Sequence, residues 1–149
     1  MVRQKHRYML VEMWGKGDLQ RVVTNKMEVL AAVRTAVQRS YGDYGLGLTT
    51  TGLAVKYINV YTGVFLLRCR RSVHPLVSSV LPLVEKLGDN SVILRTLKLS
   101  GTIRSSLKYL KAHDCKVLVH CLGRCESTEE KHLAKAEMAQ AYAHLEQQL

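Results

Sequence analysis

Residues 53–71 constrain the fold most, because they predict two strands joined by a tight turn. Strand side chains alternate between two faces, and residues 53–59 and 64–71 carry β-branched, aromatic and aliphatic residues in that alternation. The residues between them, Asn-Val-Tyr-Thr-Gly, fit a short hairpin connection. A β-hairpin is therefore the predicted centre of the domain.

Three arginines follow the apolar part of the second strand, namely Arg68, Arg70 and Arg71. A rigid strand end that presents guanidinium groups suits phosphate, which arginine binds through a planar fork of donors. A solvated strand end explains the same pattern, and the residue types alone do not separate the two interpretations.

The charge balance restricts the class of partner. The chain has 149 residues, 47% of them hydrophobic, and a net charge of +10 from 22 Lys and Arg against 12 Asp and Glu. One domain with an ordinary core is expected, and the positive excess favours nucleic acid first and an anionic membrane surface second. No apolar run approaches the roughly 20 residues of a membrane helix. No signal peptide is recognisable either, so we expect a protein that is neither secreted nor membrane-spanning.

Hydrophobic periodicity predicts the elements before the hairpin. Residues 6–14 alternate as a first strand, which a basic arm precedes. A helix follows, because Asn25 with Glu28 three residues later resembles a capping box. The glycine-rich residues 41–52 predict a flexible connector.

After the hairpin, the pattern predicts a second helix and a fourth strand. The helix spans residues 72–87, with Ser72 as its cap and Gly88 as its stop. Pro82 lies inside that range, and an interior proline removes a helical hydrogen bond, so we expect a kink or an early end. Residues 92–99 form the fourth strand.

A third helix is predicted from residue 103, with Ser100 or Thr102 as its cap. Its free N-terminal amides would bind an anion, and a basic stripe follows one side of it, formed by Arg104, Lys108 and Lys111. Residues 116–122 fit a short strand or more helix equally well. From residue 128 an amphipathic helix either packs on the domain or serves a partner.

This order of elements predicts an α+β fold of the ferredoxin-like or RRM-like type. The expected structure is an α/β sandwich, in which two main helices cover one face of a four-stranded antiparallel sheet and extra helices follow at the C-terminus. Residues 1–122 would form the RNA-binding domain and residues 123–149 an amphipathic helical extension. The second face of the sheet is left for extra elements, a partner or RNA.

Metal binding and catalysis by this chain alone are not expected. Four potential zinc ligands lie close in sequence, Cys115, His120, Cys121 and Cys125. They lack the paired spacing of structural zinc sites. No nucleophile with a base and no converging pair of carboxylates is recognisable. The aromatic pair of the RNA-recognition motif is also absent, so phosphate or shape recognition by arginines fits better than base recognition.

Three motifs carry a resemblance to a known family. They are Val-Arg-x-Lys-His-Arg-Tyr at residues 2–8, the hairpin at 54–63 with Leu-Leu-Arg-Cys-Arg at 66–70, and Gly-Thr-Ile-Arg at 101–104. In this order they resemble the small basic protein subunit shared by eukaryotic ribonuclease P and ribonuclease MRP, the fifth of the precursor-RNA-processing series. The resemblance is weak beyond Lys111. It departs at the end of the chain, where many animal members have a strongly acidic tail.

The resemblance implies a function as well as a fold. The chain would be a non-catalytic RNA-binding subunit in the nucleus and nucleolus, and its partners would be the ribonuclease P and MRP RNAs, a TIM-barrel-like protein subunit and other holoenzyme proteins. It would bind no cofactor itself, because catalysis would belong to the RNA and its Mg²⁺. The predicted RNA-binding residues are Arg3, Lys5, His6, Arg7, Lys56, Arg68, Arg70, Arg71, Thr102, Arg104 and Lys108.

Two rival functions remain at this level. A small ferredoxin-like acyl-phosphate hydrolase would need an arginine cradle and an asparagine for its water, for which Asn59 is the candidate. A protein-binding adaptor would use the same positive charge on acidic partners.

Overall fold

The structure is a computed structural model that describes residues 4–17, 22–60, 62–124 and 127–148. Its strands are β1 (His6–Gly15), β2 (Ala54–Asn59), β3 (Val64–Arg70), β4 (Lys86–Leu87) and β5 (Asn90–Ser100). Its α-helices are α1 (Lys26–Thr50), α2 (His74–Val80), α3 (Ile103–Arg124) and α4 (Thr128–Gln148), and a 3₁₀ turn (Leu81–Leu83) follows α2. All strand pairs are antiparallel, in the order β2-β3-β1-β5-β4.

Helix α1 begins where the sequence predicts. The Asn25 side chain accepts hydrogen bonds from the backbone amides of Met27 and Glu28, each at 2.9 Å. The Glu28 carboxylate in turn accepts from the Asn25 backbone amide at 3.4 Å. The predicted capping box is thus confirmed, and it satisfies amides that have no partner inside the helix.

The flexible connector predicted at residues 41–52 is wrong. Helix α1 continues to Thr50, and Gly42 (φ 66°, ψ −165°) only kinks it. Gly45 and Thr49 are buried, and the Thr49 hydroxyl donates to the Gly45 carbonyl at 3.0 Å. Tertiary packing therefore overrides the low helix propensity of the glycines.

Helices α1 and α2 cover one face of the sheet. Alternation directs Met9, Val11, Phe65, Leu67 and Cys69 to this face, where they form the main core with residues of both helices. Phe65 and Met9 are fully buried. The predicted placement of two helices on one face is confirmed.

The second face is covered by α3 from the same chain. Leu110 packs there against Leu10, Tyr57, Val64 and Leu66 in a smaller core. The segment 116–122, which the sequence left undecided, is helical and extends α3 to Arg124. Helix α4 returns along α3, and the Tyr142 hydroxyl donates to the Lys111 carbonyl at 3.5 Å. Within the described ranges, no helix is both long enough and apolar enough to cross a membrane.

Two further predictions are corrected by the structure. The sheet has five strands among the described residues rather than four, because the two-residue strand β4 pairs with the start of β5. The helix predicted at residues 72–87 spans only His74–Val80, so its predicted bounds are wrong. The early end expected from Pro82, which lies in the 3₁₀ turn, is confirmed. Ser72 is not its cap, because Val73 occupies that position without a side-chain hydrogen bond.

The hairpin turn yields a stability prediction at Gly63. Its φ is 64°, and an added Cβ would lie 2.9 Å from the Met13 carbonyl oxygen. Gly63→Ala is therefore expected to lower the free energy of unfolding by about 1–3 kcal/mol, measured by urea denaturation. Gly47→Ala is the matched control. It lies in α1 with no atom within 4 Å of its added Cβ, so it should stabilise by about 0.5–1 kcal/mol. Equal effects of the two changes would contradict this account.

Candidate nucleic-acid interface

The predicted basic residues meet at one end of the sheet, where β1 begins and β3 ends. His6 pairs with Arg70 and Tyr8 with Arg68 across the β1–β3 ladder. Because side chains alternate, His6, Arg68 and Arg70 project from the face that α3 covers further along. Arg71 follows directly, and its amide donates to the Lys5 carbonyl at 2.9 Å. We call His6, Arg68, Arg70 and Arg71 the basic end.

Arg7 lies beside the basic end but projects to the opposite face. It pairs with Cys69 across the ladder. Burial raises the pKa of the Cys69 thiol to about 11, and the positive charge of Arg7 opposes that rise. The Arg7 guanidinium lies against Gly101, where an added Cβ would be 3.1 Å from Nη1. Arg7 therefore connects the start of β1 to the turn that leads into α3.

The stretch of sequence that contains the arginines of the basic end carries no negative charge. No acidic residue occurs between Asp43 and Glu85, a range that contains all three arginines of the basic end. The Nε atoms of Arg68 and Arg70 are buried and have no hydrogen-bond partner among the described residues. Unused donors on partly buried guanidinium groups are what an incoming phosphate oxygen would satisfy.

The start of α3 lies next to the basic end. Ser100, the last residue of β5, pairs with Tyr8. The Thr102 hydroxyl accepts from the Ser105 amide at 3.2 Å, which confirms the predicted choice of Ser100 or Thr102 as cap and selects Thr102. Arg104 and Lys108 follow as exposed residues one turn apart. The structure thus places the N-terminus of α3 next to the basic end.

Lys56, a predicted RNA-binding residue, is not part of this group. Lys56 lies in the bulge of the edge strand β2, and the Lys26 ammonium donates to its carbonyl at 3.2 Å. It belongs to the edge of the sheet rather than to its basic end. Arg3 lies outside the described residues.

Lys98 is a cation that the sequence did not single out. It pairs with Leu10 across β1–β5, and its ammonium lies 5.1 Å from the centre of the Tyr109 ring on α3. A cation over an aromatic face is favourable. The alternation of side chains along β5 places Lys98 on the face that α3 covers. That alternation is visible in the sequence and could have identified this lysine.

Three of the four potential zinc ligands, Cys115, His120 and Cys121, are spread along α3. Cys115 and Cys121 are exposed on it, and Cys125 lies outside the described residues. In the described part of the chain, no three His, Cys, Asp or Glu side chains are close enough to hold a metal ion.

Comparison with known proteins agrees with the three sequence motifs. The sequence model of the Rpp14/Pop5 family matches residues 7–111. The chain belongs to the Rpp14/Pop5 family. The match covers β1 from Arg7 onward, the hairpin and the first part of α3, and therefore every residue of the basic end except His6. The resemblance inferred from the motifs is confirmed.

Relatives and a solved structure extend the match. The mouse ribonuclease P/MRP protein subunit POP5 is 33% identical over 145 residues, which cover 95% of this chain and 86% of the mouse protein. The human subunit is 34% identical over 135 residues, covering 88% and 83% respectively. A chain of the cryo-EM structure of yeast ribonuclease MRP superposes with a TM-score of 0.53 at 14% identity, over 78% of this chain and 98% of that one. That likeness supports the fold alone.

Proposed function

We propose that this protein is an RNA-binding subunit of ribonuclease P and ribonuclease MRP. The observation that carries the proposal is the family match over residues 7–111, the range that contains all three arginines of the basic end. Catalysis, the 5′-leader removal from precursor tRNA and cleavage of precursor rRNA, would belong to the RNA subunit and its Mg²⁺. The protein would support the folded RNA without binding a cofactor itself.

The basic end would hold the RNA backbone. Arg68 and Arg70 would donate from the sheet, with Arg71 and His6 beside them. The start of α3 would supply a second contact through Arg104 and Lys108, with Thr102 as its cap. Arg3 and Lys5, which precede β1, and Arg7 at its start would contribute further cations. Contacts of this kind position a protein on RNA without reading its bases.

Other details of the proposal rest on the family alone. The subunit would act in the nucleus and nucleolus, beside a TIM-barrel-like protein subunit and other holoenzyme proteins. A ferredoxin-like assignment is supported by the order β2-β3-β1-β5 of the four long strands. The division into a domain at residues 1–122 and an extension at 123–149 stays a prediction.

The acyl-phosphate hydrolase is disfavoured by the position of Asn59. Its side chain accepts from the Thr62 amide at 3.4 Å and so holds the hairpin turn. Asn59 pairs with Val64, whereas Arg68 pairs with Ala54 at the other end of β2. Five residues of strand separate the two positions, roughly 16 Å. An asparagine and an arginine this far apart cannot share one phosphate.

The proposal is tested by recovering the protein with its RNA. A tagged copy purified from cells at low salt should carry the ribonuclease P and MRP RNAs, as read by sequencing. Nuclease treatment before purification should remove those RNAs and leave only protein partners. Recovery of protein partners with neither RNA would contradict the proposal and favour the adaptor.

A further inference from the structure

A cavity of about 350 Å³ lies at the end of the sheet opposite the basic end. Its walls come from β1, the hairpin turn, α3 and α4. Along β1, Tyr8 lies beside the basic end and Trp14 lines the cavity. Six residues of strand separate them, roughly 20 Å. The cavity is therefore separate from the proposed RNA contacts.

Two buried carboxylates line this cavity. Glu12 is 6% exposed and Asp114 is 5% exposed. Arg95 donates to Glu12 through Nε at 3.1 Å and Nη2 at 2.7 Å, and both bonds reach the same oxygen, Oε2. Neither bond uses the second oxygen of Glu12, Oε1, so this oxygen can accept from a further donor in the cavity.

Asp114 has a long contact with a neighbouring side chain. The Nδ1 of His113 lies 3.5 Å from its Oδ1, which is too long for a strong hydrogen bond. Burial raises the pKa of Asp114, His113 opposes that rise, and the charge of Glu12 adds to it. Burial of a carboxylate is costly, and a second carboxylate nearby adds to the cost. A cation bound beside both carboxylates would reduce these penalties.

The remaining walls are mostly apolar, although Thr62, His113 and the half-buried carboxylate Glu137 also line the cavity. Met13, Trp14, Val117, Leu118 and Met138 line the cavity. The surface around its mouth is apolar as well, because Trp14 is 47% exposed, Val117 43%, and Ile93, which pairs with Trp14, 51%. A chamber with mostly apolar walls and three carboxylates, two of them buried, fits a long side chain with an aliphatic stem and a cationic tip.

We propose that this cavity receives an arginine side chain from a protein partner. The planar guanidinium can donate to both carboxylates at once and stack on Trp14, which a lysine ammonium does less well. The stem would pack on Val117 and Met138. The partner is a protein rather than a nucleic acid, because carboxylates repel phosphate and an exposed apolar rim with a tryptophan is typical of protein interfaces.

The inference goes beyond the proposed function and uses none of the basic end. Substitutions at Arg68 and Arg70 should therefore leave arginine binding unchanged. A change at Asp114 should likewise leave RNA affinity unchanged. Failure of either proposal would not carry over to the other.

The test uses the full chain and a small probe. Trp14 is the only tryptophan, so its fluorescence reports on the cavity while N-acetyl-arginine amide is added. We expect a saturable change, in the roughly millimolar range of a single weak contact. N-acetyl-citrulline amide has the same shape without the charge, and it should bind at least about tenfold more weakly. Asp114→Asn should weaken binding of the arginine probe by about tenfold or more.

Control variants keep the test decisive. Glu130→Gln removes the same charge at an exposed position of α4, and arginine binding should not change. Thermal unfolding should show that Asp114→Asn is folded. If it is not, Val117→Arg at the cavity mouth should block the probe instead. Absence of a saturable change, equal binding of the citrulline probe, or a folded Asp114→Asn or Val117→Arg variant that binds the arginine probe as well as the unmodified chain would overturn the proposal. A response to oligouridylate that depends on Asp114 would assign the cavity to nucleic acid.

Discussion

Replacing Arg68 and Arg70 together with alanine is expected to weaken RNA binding by about 10- to 100-fold. Both side chains project from the same face of β3, and each has a buried Nε without a partner in the described chain. A hydrogen bond to a charged group contributes about 1.5–3 kcal/mol, part of which neighbouring cations would recover. The measurement is a titration of the RNA recovered with the complex, read by filter binding or fluorescence anisotropy.

Salt dependence identifies the cause of that loss. Each cation that contacts a phosphate of duplex-like RNA contributes about 0.9 to the slope of the logarithm of affinity against the logarithm of salt concentration. The double variant should therefore lose about 1.8 from that slope. A loss of affinity with an unchanged slope would mean that the arginines support the structure of the sheet rather than contact phosphate.

The control removes the same charge elsewhere. Lys116 on α3 and Lys135 on α4 are exposed and distant in sequence from the basic end. Their joint replacement with alanine should change affinity by less than about threefold, because distant exposed charges are largely screened at physiological salt. If the two double variants weaken binding equally, net charge attracts the RNA and the basic end has no special role.

The parts of the fold that the sequence predicted are those with a strong local signal. Asn25 and Glu28 marked the start of α1 because a capping box is formed by residues three apart. Pro82 limited α2 because a proline ring cannot continue a helix. The alternation of residues 64–70 fixed both faces of β3, and with them the side of Arg68 and Arg70.

The errors arose where distant contacts decide the structure. Glycines at 42, 45 and 47 predicted a loop, yet buried Gly45 and Thr49 keep the segment helical. Strand β4 has two residues and exists only because it pairs with β5. Two residues are too few to show an alternating pattern, so the sequence does not predict this strand. The cavity was missed for the same reason. Glu12 and Asp114 are 102 positions apart in the chain, and only the packing of α3 on β1 brings them together.

The packing of α3 on the sheet is expected to depend strongly on Leu110. Leu110→Ala should lower the free energy of unfolding by about 2–5 kcal/mol, the usual cost of truncating a buried leucine. Leu110 is 1% exposed, and it packs from α3 against Leu10 and Leu66. Leu133→Ala is the same chemical change at a residue of α4 that is 65% exposed, and it should cost no more than about 0.5 kcal/mol. Urea denaturation of both variants gives the comparison.

The consequences of Leu110→Ala should reach the cavity. Asp114 follows Leu110 by four residues, one turn further along α3, so a helix that no longer packs on the sheet cannot hold this carboxylate beside Glu12. Loss of stability and loss of arginine binding should therefore appear together in this variant, whereas Asp114→Asn should lose only the binding. If Leu110→Ala costs no more than Leu133→Ala, α3 does not pack on the second face, and neither the cavity nor the site at the start of α3 has the geometry described above.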